Sequence, residues 1–389
     1  MTAPMLDTAP DTRIFDLSAE QQSDVDSMHA AIVAEPEGHP LSLFEFWPGS
    51  VFYTPIVLYW IAMGIRYGDF SVPTAANPRI ETGGLCGESK SAILDMAGQI
   101  AKPWIAAYAT FTTSRGRDDE GDLSRAHAAM DEASLSYPVV VKPDIGCNGT
   151  GVKLVEDEAA MKAVLARFPR GVGLMVQDLI DAPIEAGLFY IRHPDEPRGR
   201  ITSVTYKEAP ILTGDGSTTL RDLLHGDPRT KLVPHLYLPR LEGRLNDVPA
   251  SGERVRLVFA GNHCKGSIFR NGADDITDAL TDRLDQLMKD VPDFHFGRID
   301  VKATSTAALR RGEGFQIIEI NGVGSEATHI WDRRTTLWEA YRAQFFHYRE
   351  TFRIGAAKRR AGWKTWGAFT MLRYWIKQRR LLASYPLND

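Results

Sequence analysis

The chain has 389 residues, 43% of them hydrophobic and 24% charged, an ordinary globular composition with enough apolar material for two or three domains. The formal charge of −5 argues against a dedicated nucleic-acid binder, although residues 353–380 hold nine Lys or Arg and no acid, leaving −14 on the remainder. Cys86, Cys147 and Cys264 are odd in number and lack CxxC spacing, which argues against a disulfide framework or zinc site and fits a reducing, cytoplasmic compartment.

Residues 1–40 are polar, rich in Asp, Pro and Ala, and are expected to be partly disordered. Their first stretch, MTAPMLDTAPDTRIFD, lacks the basic and apolar regions of a secretory signal. Residues 41–110 form an apolar, largely helical region. Within it, Trp47 to Ile65 carries no charge but is interrupted by Pro48, Gly49 and Pro55. Three readings stay open for this segment: a core helix, a helix lying in a membrane surface, and a membrane span. GESKSAILDMAGQIAKPW places Ile93, Met96, Ala97 and Ile100 at helical spacing.

From residue 111 to 335 the texture is strands, turns and occasional helices. YPVVVKP and GVKLV read as strands, and EDEAAMKAVLARF as a helix with acids in its first turn. GLMVQDLI and EAGLFYIRH read as strands joined at Asp181-Ala-Pro. RITSVTYKEAP alternates like a strand, and TTLRDLLHG is a short helix. RVRLVFAGNH and KGSIFRNG are expected to form a hairpin. DITDALTDRLDQLMKDV is an amphipathic helix, and FHFGRIDVKA pairs with GFQIIEINGVG. Residues 336–389 form a helical, basic tail.

Lys142 ends a strand and is followed by Gly146, Asn148, Gly149, Thr150 and Gly151. Glycines let backbone N–H groups approach a ligand closely, and such a nest beside an ammonium suits polyphosphate. The spacing is neither GxxxxGK[ST] nor GxGxxG before a helix, so the motif reads as a strand–loop–strand phosphate cover. Glu319 and Asn321 lie two apart in a strand and project to one face, with Ile318 and Ile320 expected on the other. If the Asp300 strand pairs alongside, three oxygen-bearing side chains converge, a ligand set for Mg²⁺ (or Mn²⁺) shared with substrate phosphates.

Lys142 with its glycine loop, VQDLIDAPIE, Asp300 and the Glu-x-Asn at 319–321 together resemble the ATP-grasp superfamily. The branch most resembled contains D-alanine–D-alanine ligase and cyanophycin synthetase. The resemblance covers residues 85–330. It implies an α+β fold, two subdomains enclosing ATP, and a carboxylate–amine ligase acting through an acyl-phosphate. By the same resemblance, Lys142 and Lys102 bind ATP phosphates, and residues 146–151 cover them. Gln177 and Asp178 border adenine, and Glu185 contacts ribose. Lys207 lies near the terminal phosphates, and Arg270 stabilises the transferred phosphoryl group. Asp300, Glu319 and Asn321 hold the metal. GDGSTTLRDLL at 214–224 resembles a segment on the substrate side.

Residues 1–85 depart from the family by lacking a βαβ substrate domain, so the acid and amine are not carried over. A kinase that stops at phosphoryl transfer, and a nucleotide-binding scaffold without turnover, are the rivals. The basic tail spaces Trp363, Trp366, Phe369, Leu372 and Ile376 near-helically among Lys and Arg, which suits an anionic membrane surface; packing on the domain is the alternative. Small-molecule or lipid-linked substrates, and no nucleic acid, are the expected partners. Lesser candidates are His329 for the acceptor, Arg333 and Arg334 as a clamp on a substrate carboxylate or phosphate, Glu326 for metal or substrate, and Glu88, Ser89 and Lys90 as a loop near the substrate.

Overall fold

A computed structural model describes residues 40–116, 118–259 and 261–388. The expectation of a loose N-terminus falls on residues outside these. The class is α+β, and two antiparallel sheets organise the chain.

The small sheet has the order β1 (Tyr108–Thr112), β4 (Gly173–Asp178), β2 (Val139–Pro143), β3 (Lys153–Val155). Its alternation follows the strand period of two. Val139, Val141, Leu174 and Val176 are buried against the helices Asp119–Glu132 and Glu158–Leu165. Val140, Lys142 and Gln177 turn to the opposite face and line a cleft. Both helices open with an aspartate, Asp118 and Asp157, whose carboxylates accept first-turn amides.

The large sheet has the order β11 (Phe315–Asn321), β10 (Phe296–Ala303), β5 (Ile184–Ile191), β6 (Arg200–Glu208), β9 (Ile268–Asn271). One face buries Leu188, Val204, Ile299 and Val301 against Leu280, Leu284, Leu287 and Met288 of the helix Asp278–Lys289. On the other face, Phe189, Ile191 and Phe296 lie under the long helix Leu337–Arg360, through Ile354. Further along that face, Glu185, Lys207, Arg298, Asp300 and Lys302 open into the cleft.

The sheets are joined by two chain segments. β4 and β5 belong to different sheets, so Asp181-Ala-Pro links layers rather than closing a hairpin. The second link is Ile105, which bridges to Ile317 at the edge of the large sheet just before β1.

The expected RVRLVFAGNH/KGSIFRNG hairpin does not form. β8 (Arg254–Arg256) pairs instead with β7 (Ile211–Thr213) in a separate two-stranded sheet, and β9 joins the large sheet beside β6. The intervening chain is too long for a tight turn, because Leu257 and Val258 enter the core of the β7–β8 unit. The helix expected through Ile100 ends at Leu94; Asp290 instead takes the amides of Ile100 and Ala101 at 2.7 and 2.8 Å.

The apolar segment near the N-terminus forms the helix Thr54–Tyr67. Tyr59 packs at a tilt on Phe345, and Trp60 packs edge-on against Tyr348 and Phe352 of the long helix, so its inner side is core. No helix among the described residues is long and apolar enough to cross a membrane. The tail packs on the fold along one side. Its helix Ala368–Leu382 passes the cleft, and the chain then anchors on the small sheet, where Tyr385 donates to the Ile145 carbonyl at 2.9 Å.

Candidate active site

Facing sides of the two sheets enclose a cleft of about 800 Å³, within the range of small-molecule sites. Lys142, Gly146, Asn148, Gly149, Thr150, Gln177, Asp178, Glu185, Lys207, Asp300, Glu319 and Asn321 all line it. Lys102, Gly151 and Arg270 do not.

Lys142 and Gln177 join the walls, Gln177 by donating from Nε2 to the Ile318 carbonyl at 3.3 Å. The Lys142 ammonium donates to Gln177 Oε1 at 2.8 Å within its own sheet, and to the Ile318 carbonyl of the facing sheet at 3.1 Å. That carbonyl is free because of a β-bulge. Asp300 pairs with Glu319, but the next residue, Val301, pairs with Ile317, so Ile318 has no partner across the ladder. The bulge also changes side-chain parity. Ile317 and Ile320 are buried, whereas Ile318 turns toward the cleft. The expectation that Ile318 lies in the core is corrected accordingly.

Burial pulls the Lys142 ammonium down to about 8, against Glu319, which pushes it up. Lys90 joins as the first residue of the helix Lys90–Leu94. It donates to the Gly146 carbonyl at 2.6 Å and stands 3.6 Å from Glu319 Oε1. Ser89 beside it is that helix's cap, accepting from the Ala92 amide.

In the phosphate loop, Asn148 and Gly149 have φ of 54° and 66°, and Thr150 N donates to Cys147 O at 3.1 Å. Gly151 has a different task. At φ 76°, a Cβ there would stand 2.9 Å from the Pro143 ring. It is required for packing behind the loop, not as part of the cleft wall.

On the large sheet, alternation along β10 puts Arg298, Asp300 and Lys302 on one face. Asp300 receives Arg298 at 2.9 and 3.2 Å, and Lys207 at 3.0 Å. Burial would raise its carboxyl, but these two cations outweigh burial and hold it below the usual carboxylate range. Asn321 Nδ2 donates to Asp300 Oδ2 at 3.3 Å. Glu185 is bracketed by Lys207 and Lys302, each at 3.3 Å from one of its oxygens.

By type, Asp300, Glu319 and Asn321 carry the hard oxygens that a divalent ion such as Mg²⁺ takes, although Asn321 here turns its Nδ2 rather than its oxygen to Asp300. Among the described residues, no group of three or more His, Cys, Asp or Glu gathers as a metal cluster. A cation here would therefore complete its shell with ligand oxygens and water.

Two expected residues stand elsewhere. Lys102 is exposed in a turn before β1. Arg270 pairs with Glu208 at 2.9 Å; the arginines that line the cleft are Arg254, Arg256 and Arg298, and only Arg298 pairs with Asp300. Its signal was present in the sequence, since R-x-D-x-K at 298–302 puts three charges on one strand face. The 214–224 segment also lies off the cleft. Its Asp215 folds a local turn by accepting the Ser217 and Thr218 amides at 2.8 and 2.7 Å.

One wall had no local signal. Tyr53, from the N-terminal region, donates to Glu326 Oε1 across 273 positions of sequence. Gln344 Nε2 and Trp331 Nε1 also donate to this carboxylate, at 3.2 and 3.1 Å. Glu326 thus accepts from three neutral donors at the cleft edge, and no described Lys or Arg pairs with its side chain. Of the remaining candidates, His329 accepts or donates at Ser203 Oγ, 2.8 Å away, beneath the long helix, and Arg334 pairs with Asp332 at 3.3 Å.

No family model and no curated protein matches the chain. Among solved structures it is similar to a bifunctional glutathione synthetase from Pasteurella multocida, with 15% identity and a TM-score of 0.33, over 66% of this chain and 35% of that one. It is similar to the VanG D-Ala:D-Ser ligase from Enterococcus faecalis, with 16% identity and a TM-score of 0.38, over 69% and 64%. It is also similar to the D-alanine-D-alanine ligase from Coxiella burnetii, with 10% identity and a TM-score of 0.34, over 74% and 63%. The likeness spans less than two thirds of each of those chains. Two antiparallel β-layers enclosing a lysine-lined cleft are the architecture that the ATP-grasp resemblance implies.

Proposed function

We propose that the chain is an ATP- and Mg²⁺-dependent carboxylate–amine ligase that works through an acyl-phosphate. One observation carries the reading. Lys142 of one layer meets the bulge at Ile318, next to Glu319 and across from Asp300 on the other layer.

The residues divide the work by position. Val140, Leu179, Ile180 and Ile211 are apolar members of the cleft lining and would receive the adenine. Lys142, Lys90 and the amides of residues 146–150 hold the phosphates. Asp300, Glu319 and Asn321 would hold the metal, whose chemistry is to neutralise phosphate charge. A substrate carboxylate oxygen attacks the γ-phosphorus, the bond to the β-phosphate oxygen breaks, and ADP leaves. Arg298 and Lys207 stand where the charge on the transferred group would be met. The amine then attacks the acyl carbon, and the C–O bond to phosphate breaks. Glu326 draws the amine into the cleft edge as an ammonium and takes the first of the two protons it must lose; the second leaves with the departing phosphate.

The test is to incubate the enzyme with ATP, Mg²⁺, hydroxylamine and a panel of carboxylic acids. The expected result is acid-dependent ADP release with formation of an acyl hydroxamate. A stable phosphorylated product without hydroxamate would make it a kinase. Nucleotide binding with no ADP release from any acid would leave the scaffold reading.

A further inference from the structure

The helix Ala368–Leu382 touches the rest of the chain along one side only. Tyr374 donates to Glu81 at 3.2 Å, Gln378 lines the cleft, and Leu381 and Leu382 pack on the core of the small sheet. The other side is bare. Phe369 is 91% exposed, Leu372 52% and Ile376 37%, and at 3.6 residues per turn the three share a face. Arg373, Arg379 and Arg380 flank them, and the helix contains no acid.

The helix Thr54–Tyr67 has a second bare face, made of Val57, Leu58, Ile61 and Ile65, with Leu58 at 61% and Ile65 at 70% exposure. Thr365 Oγ1 donates to Asp69 Oδ2 at 3.0 Å. Asp69 is four residues past Ile65, and Thr365 four before Phe369. The end of the first helix is therefore tied close to the start of the second.

A second copy of the chain is a poor cover for this surface, because a two-fold contact sets arginine against arginine. Apolar side chains ringed by arginines match hydrocarbon beneath anionic headgroups. We propose that these two helix faces dock the chain on an anionic lipid bilayer. The docked helix also supplies Gln378, from its other side, to the cleft wall, so the cleft lies behind the docked face. A lipid-borne acid or amine as substrate follows from that placement and rests on the ligase reading; the docking does not.

The test uses the full chain, without nucleotide, and sucrose-loaded vesicles of phosphatidylcholine alone or mixed with phosphatidylserine. Deleting residues 353–380 is unsuitable, because Ile354, Gly355, Ala357 and Lys358 are buried. Surface variants serve instead. The protein is expected to pellet with the anionic vesicles and to be released by salt. Phe369→Ser with Ile376→Ser, and separately Leu58→Ser with Ile65→Ser, should each weaken partitioning about tenfold or more. Arg373→Gln with Arg380→Gln should weaken it about tenfold on anionic vesicles. Circular dichroism of each variant should match the parent. Three outcomes would overturn the proposal: no pelleting with either vesicle, variants that pellet like the parent, or a solution dimer that Phe369→Ser with Ile376→Ser dissociates.

Discussion

The two walls of the cleft follow opposite rules. The small sheet presents one buried ammonium and a loop of backbone amides, with Lys142 bonded to neutral partners at Gln177 and Ile318. The large sheet presents a lattice of paired charges, in which Asp300 answers to Arg298 and Lys207, and Glu185 to Lys207 and Lys302. A wall of amides adapts to a phosphate chain by small backbone moves. A charge lattice is fixed before any ligand arrives, which is what preorganised stabilisation of a transferred group requires. The difference assigns grip to the small sheet and chemistry to the large one.

The largest expected effect tests the large wall. Glu319→Gln should lower ATP turnover by about a thousandfold, measured as ADP release, while leaving the fold intact. It is preferable to Asp300→Asn, which would strand two buried cations. Turnover within a few-fold of the parent would remove Glu319 from the site. Next, Lys142→Met keeps the aliphatic stem but loses the ammonium. It should weaken binding of a non-hydrolysable ATP analogue about tenfold to a hundredfold. Unchanged affinity would mean that the small wall does not grip phosphate.

Glu326→Gln sharpens the comparison from a third direction, since this carboxylate belongs to neither layer's charge lattice. Once the amine is known, its KM should rise about tenfold, with acid-dependent hydroxamate formation unchanged. A fall in both would place Glu326 in phosphoryl transfer instead.

The smallest effect lies under the long helix, away from both walls. His347 donates from Nδ1 to the Ala343 carbonyl and accepts at Nε2 from Thr202, and burial holds it down at about 3. His295, also buried and beside Arg192 and Lys358, is held at about 4. Unfolding exposes both to the ordinary value of 6.5, so the unfolded chain takes up protons that the folded chain refuses. Their contribution is complete above about pH 6.5 and is lost as pH falls, by roughly 1.4 kcal/mol per pH unit per histidine. His347→Gln should flatten the fall in melting temperature between neutral and mildly acidic pH. An unchanged slope would contradict this.

Much of the cleft was legible because strand alternation is a local rule. V-V-V-K-P and R-I-D-V-K-A announce which side chains share a face, and the structure puts Lys142 and Asp300 on the cleft as that rule requires. What was not legible came from non-local events. The bulge that frees the Ile318 carbonyl depends on how β10 meets β11, and F-Q-I-I-E-I-N reads as plain alternation without it. Arg270 was chosen by likeness of motif, whereas Arg298 was available from spacing alone. Tyr53 reaches Glu326, and Tyr385 reaches Ile145, across more than half the chain in each case. β8 left its expected hairpin because its continuation had a separate core to fill.

The account stands on a nucleotide held between the layers with its metal on Asp300, Glu319 and Asn321. Calorimetric titration with a non-hydrolysable ATP analogue, with and without Mg²⁺, examines that claim directly in the parent, Glu319→Gln and Lys142→Met proteins. The account predicts Mg²⁺-enhanced binding in the parent, loss of the enhancement in Glu319→Gln, and weak binding in Lys142→Met under both conditions. Binding of equal strength in all three proteins, indifferent to Mg²⁺, would contradict it.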